Sequence, residues 1–75
     1  MLLAPVQTPV RTITLEQYAA IVLMREARGM VGFLDTPKFI GDSSILSGLC
    51  CTEDETPYRY RIDTQTARLV NIYEV

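Results

Sequence analysis

The hydrophobic positions between Leu15 and Arg28 recur with a helical period, but they spread around most of the helix circumference. At roughly 100° per residue, Leu15, Tyr18, Ala19 and Val22 share one face. Ala20, Leu23, Met24 and Ala27 fall on a second, nearly opposite one. Gln17, Arg25 and Arg28 mark a narrow polar side interrupted by Ile21. An ordinary surface helix carries one apolar stripe. The second face therefore predicts either a cover from a loop or the N-terminal arm, or contact with another chain.

The ends of this helix carry signals of their own. Thr14 and Gln17 form a T-x-x-Q capping box, and Ile13 and Tyr18 are spaced as a hydrophobic staple. Glu16 complements the dipole in the first turn, as Arg25 and Arg28 do in the last. Gly29 suits the left-handed residue that ends a helix.

After Gly29 the period changes. Residues 29–34 are apolar and punctuated by glycine, either a short strand or the chain leaving the helix across the core, and Asp35-Thr36-Pro37 is a turn signal. Phe39-Ile40 and Ile45 to Cys51 read as strands, with Gly48 marking a bulge or a close approach. Tyr58, Tyr60 and Ile62 alternate with Arg59, Arg61 and Asp63, and a turn through Asp63 to Ala67 leads into a strand over Leu69 to Val75. In that last strand Leu69, Asn71, Tyr73 and Val75 share one face and Val70 and Ile72 the other, which suits a central strand or one covered on both sides. Residues 1–9 hold two prolines and read as an extended arm, followed by a short strand over Val10 to Ile13. The prediction is an α+β fold in one small domain over residues 10–75. A helix at about 15–28 packs on an antiparallel sheet of three to four strands that ends in a C-terminal hairpin.

Size and charge narrow the function classes. A chain of 75 residues builds a small core, and scaffolds of this size usually gain stability from a staple, a metal or an oligomer. The net charge is −2. The first 49 residues balance, and the excess comes from Glu53, Asp54, Glu55, Asp63 and Glu74 against Arg59, Arg61 and Arg68. No basic patch marks a nucleic-acid or anionic-membrane binder. The longest apolar run, Tyr18 to Met24, falls far short of a membrane span, and the apolar start lacks the basic residues of a signal peptide, so a cytoplasmic setting is expected.

Candidate chemistry is sparse. The chain has no histidine, which removes the commonest general base and every Ser-His or Cys-His arrangement within one chain. Ser43, Ser44 and Ser47 have only Lys38 as an activating partner, and loop serines are ordinary turn formers. Cys50 and Cys51 are adjacent, too close for an unstrained disulfide. On a strand they point to opposite faces, one expected in the core and the other more exposed. No metal, cofactor or phosphate-binding motif is expected. Glu53-Asp54-Glu55 reads as a solvated turn.

The residues thus predict a non-enzymatic protein-interaction module, homodimeric, that buries an apolar helix face or a sheet edge against its partner. The expected contact residues are Ala20, Leu23, Met24 and Ala27 on the helix, with Arg59 and Arg61 as anchors of the kind interfaces favour. The alternative is a monomeric inhibitor or adaptor, of the kind mobile elements encode, binding a host complex. A further alternative is single-stranded nucleic-acid contact through Tyr58, Tyr60, Arg59 and Arg61. It is disfavoured because the rings and the cations alternate onto opposite faces.

Overall fold

The computed structural model describes residues 13–75. The arm read over residues 1–9 lies outside them, as does the short strand read over Val10 to Ile13 except for Ile13 itself, which is in no strand. One helix, α1 (Leu15–Glu26), packs on a single antiparallel sheet of five strands: β1 (Met30–Phe33), β2 (Lys38–Phe39), β3 (Ile45–Thr52), β4 (Pro57–Asp63) and β5 (Arg68–Glu74). The α+β architecture and the C-terminal hairpin are as the sequence predicts.

The helix starts where its signals place it. Thr14 has an extended backbone, the Gln17 amide donates to Thr14 Oγ1 at 3.0 Å, and the Thr14 amide donates to Gln17 Oε1 at 2.8 Å. It ends at Glu26 rather than at Arg28, because Ala27 leaves helical geometry while its amide still donates to the Leu23 carbonyl at 2.7 Å. Gly29, at φ +96°, then turns the chain into β1, a conformation a side chain would strain.

The strand order is β1-β3-β4-β5, and β2 also pairs with β3. β4 occupies one edge of β3 along its length, from Ile45↔Asp63 to Cys51↔Pro57. β1 and β2 therefore share the other edge, β1 against Cys50 to Thr52 and β2 against Leu46 and Ser47. That shared edge is why the sheet holds five strands instead of three or four. β5 is an edge strand, not a central one.

Register settles which side chains share a face, since directly paired residues point the same way. Leu46, Gly48 and Cys50 on β3 lie beside Tyr58, Tyr60 and Ile62 on β4, on the face that meets the helix. In β5 the pairing shifts from Ile62↔Leu69 to Arg61↔Asn71, which leaves Val70 as a bulge. The bulge flips the parity read from the sequence. Leu69 and Ile72 both pack against the core, whereas Asn71 and Tyr73 join Arg59 and Arg61 on the far face. A similar shift at Val31 puts Met30 and Phe33 together on the core side of β1.

The core is the layer between α1 and this face. Ala19, Val22 and Leu23 meet Leu46, Cys50, Tyr60 and Ile62, all buried, with Phe33 edge-on to Tyr60 at 6.0 Å. The two apolar helix faces expected from the sequence are thus the flanks of one stripe centred on Ala19. Leu23 belongs to the core at 3% exposure, and Leu15, Ile21 and Met24 are exposed. The tyrosine ring lies across the strand from Gly48, its register partner, where a Cβ would come within 2.8 Å of Tyr60 Cζ. Gly48 marks a close approach, as one of the two sequence readings has it. Gly48→Ala should push the ring out of its place and cost about 1–3 kcal/mol of overpacking strain, measurable as a lower midpoint in urea at unchanged slope.

Candidate functional site

The six residues expected to form an interface divide between two sides of the molecule. Ala20, Leu23 and Met24 line a hollow of about 170 Å³ where α1 passes over β1, closed by Met30, Val31, Gly32 and Phe33. Its lining is almost wholly apolar. Met24, 78% exposed, and Val31, 66% exposed, stand at the rim, and Leu23 forms the floor. Ala27 packs against the core from the end of the helix and does not line the hollow. Arg59 and Arg61 lie on the opposite side of the sheet, so the structure does not bring them together with the helix residues.

The hollow exists because of local sequence. Ala20 presents little bulk on the flank of α1, and Gly32 lines the hollow with backbone alone, since a Cβ there would face Cys51 on the other side of the sheet. The bulge at Val31 turns that side chain outward. Large apolar residues on either side therefore overhang a shallow floor instead of filling it.

No helix among the described residues covers the far face of the sheet, where Cys51 is buried and Ser47, Arg59 and Arg61 are half-buried. Register lines up Lys38, Ser47, Arg61 and Asn71 in one row across β2, β3, β4 and β5. The next row holds Leu49, Arg59 and Tyr73. Arg59 Nη1 donates to Ser47 Oγ at 3.4 Å, and the Arg61 guanidinium lies 5.7 Å from the centre of the Tyr73 ring. Lys38 and Ser47 are register partners on this face, and the Ser47 hydroxyl accepts from Arg59. Tyr58 and Tyr60 point to the helix side, Tyr60 fully buried, so they cannot join the arginines.

One group of contacts was not read from the sequence. Glu26, the last residue of α1, accepts from Arg25 Nη2 at 2.9 Å, from Arg68 Nε at 2.8 Å and from the Leu69 amide at 3.1 Å. Arg25 also donates to the Ala67 carbonyl. Together these clamp the end of the helix to the β4–β5 hairpin. The clue available in the sequence was an acid at the helix end that the dipole disfavours, which implies a use elsewhere. Hydrogen bonding from Arg25, then from the Leu69 amide and Arg68, holds the Glu26 carboxyl below its ordinary 4.5 against a small opposing effect of burial.

Asp54 accepts from the hydroxyls of Thr52 and Thr56 and from the Thr56 amide, which lowers its pKa and organises the β3–β4 turn. Glu53 and Glu55 on that turn are exposed. Cys50 and Cys51 are both free and point to opposite faces as strand alternation predicts; Cys50 is in the core, and Cys51 is less completely buried at 8% exposure. Cys51, on the far face, pairs in register with Gly32, and burial pushes the Cys50 thiol up to about 11. Among the described residues no cluster of three or more metal-ligating side chains occurs, and no helix is long and apolar enough to cross a membrane. No protein-family model, curated protein or solved structure matches the chain.

The clamp makes stability depend on pH. Because Glu26 titrates lower in the folded chain than in the unfolded one, its contribution is complete above about 4.5 and is lost as pH falls through the folded-state value. Glu26→Gln should lower the thermal midpoint at neutral pH and flatten its decline below pH 4.5. An unchanged acid profile would remove Glu26 from this role.

Proposed function

We propose that this chain is a small, cytoplasmic, non-enzymatic interaction module that pairs with a second copy of itself through the hollow between α1 and β1. The observation that carries the reading is Met24, a large flexible apolar side chain 78% exposed beside an apolar hollow. Methionine adapts its shape to irregular gaps and recurs at recognition surfaces. In an isologous pair each copy offers both the projecting side chain and the recess, so Met24 of one copy fills the hollow of the other. Val31 adds a second exposed apolar group to the same rim.

A second copy is favoured as occupant because the patch is nearly free of charge. The ion pairs of α1, Arg25 and Arg68 with Glu26, lie at its contact with β5, whereas the hollow is at its contact with β1. Such a surface offers little to steer a charged foreign partner. It does offer added burial to a chain whose core is one layer thick. With no histidine in the chain and Ser43 engaged in a turn, donating to the Ile40 carbonyl at 2.6 Å, the side chains provide contact surface rather than acid–base chemistry.

The test is sedimentation equilibrium with thermal unfolding at several protein concentrations. The expected result is a dimer whose midpoint rises with concentration. Met24→Asp should give a folded monomer, with the helical and sheet signals of the parent in circular dichroism. Leu23→Ala should instead weaken folding itself by about 2–5 kcal/mol, since its side chain is in the core. A monomeric parent with a concentration-independent midpoint would overturn the pairing.

A further inference from the structure

We infer that the open face of the sheet binds single-stranded nucleic acid, independently of the pairing through α1. The chain as a whole is acidic, yet this face is not. Lys38, Arg59 and Arg61 lie on it, and none of them has a carboxylate partner within ion-pair distance among the described residues. Asp63 also lies on this face, one row beyond Arg61, where its carboxylate accepts from the Gln65 amide; Glu26 takes Arg25 and Arg68 at the end of the helix, and Asp54 is held by the threonines of its turn.

The donors form a line. Lys38, Ser47, Arg61 and Asn71 occupy one register row, which spans about 14 Å at three strand spacings of about 4.8 Å. A backbone crossing the strands meets a cation, a hydroxyl, a cation and an amide in turn. Beside the row stands Tyr73, 45% exposed, with the Arg61 guanidinium against its ring. Single-strand binders combine such a cationic track with aromatic and guanidinium planes on which bases stack.

Two other occupants fit less well. A second copy laid face to face would set the cations of one face against those of the other, as an isologous contact requires. An acidic peptide gains most by adding a strand at a sheet edge, whereas this row crosses β3 and β4, whose backbones are already paired on both sides.

The probe is a fluorescein-labelled oligothymidylate of about a dozen nucleotides, titrated with the full chain between about 50 and about 200 mM salt. Binding is expected to weaken with a log–log slope of about −2, from three cations at about −0.7 each. Arg61→Ala or the exposed Lys38→Ala should each reduce that slope by about 0.7. Tyr73→Ala should weaken binding about tenfold and leave the slope alone. Arg28→Ala, a cation on the helix side, should change neither. Absence of binding at the lowest salt overturns the proposal, as does an equal loss with Arg28→Ala. Binding of polyglutamate in place of the oligonucleotide, with the same dependence on Arg61 and Lys38, overturns it in favour of an acidic polypeptide.

Discussion

Ala19, Val22 and Leu23 meet Leu46, Cys50, Tyr60 and Ile62 across one interlayer space, and the rest of the molecule is arranged around that contact. Among the described residues one helix of twelve residues covers one face of the sheet. The residues at the contact are chosen for closeness. Ala19 lets the helix backbone approach the sheet, and Gly48 leaves room for the Tyr60 ring to lie across its neighbouring strand. Such packing tolerates little added volume. The same constraint generates both surfaces discussed above. The helix is too narrow to close over β1, which leaves the hollow, and nothing described lies beneath the sheet, which leaves the cationic row open.

A helix held by a single apolar stripe still needs its axial position and direction fixed. The capping box orders its first turn, and the Arg25–Glu26 clamp ties its last turn to the β4–β5 hairpin. The clamp also consumes an exposed backbone amide on an edge strand, at Leu69, and thereby blunts part of that edge for pairing with other chains. The bulge at Val70 interrupts the edge immediately afterwards. Association through β5 strand addition is disfavoured by both features, which leaves the hollow beside α1 as the better contact surface.

The legible parts of this chain were those governed by local chemistry. Thr14 and Gln17 announce the helix start because the capping contacts span only three residues. Tyr58 to Asp63 announces β4 because its alternation matches the pleat, and it correctly separates Tyr60 from Arg59 and Arg61. The helix stripe was misread because a count of apolar positions weights Ala19, Ala20 and Ala27 like Leu23, although alanine tolerates either side of a boundary. Val31 and Val70 carry no signal of a bulge, since the extra residue is defined only against a partner strand. Each bulge shifts parity by one, and that is how Tyr73 came to stand with Arg59 and Arg61. β2 is two residues long and exists only because β3 offers it an edge. Glu26 was overlooked for a related reason: its partners on the hairpin, Arg68 and the Leu69 amide, are more than forty positions away.

The two surfaces lie in different layers, and this bears on how they work together. Pairing through α1 and β1 leaves the far face of each sheet uncovered, so a dimer would carry two cationic rows instead of one. A ligand that spans both would meet the second row at a raised local concentration, and weak contacts of three cations each would combine without any new interaction. For an acidic chain this matters. The field of the whole molecule opposes an anionic polymer, and a single short row must act against it within about a Debye length of the surface. Duplication by pairing increases the favourable local contacts, whereas the opposing long-range field is screened by salt. In the proposed dimer, self-association would therefore reinforce binding of a polyanion, although each could occur without the other and the residues that would serve them are separate.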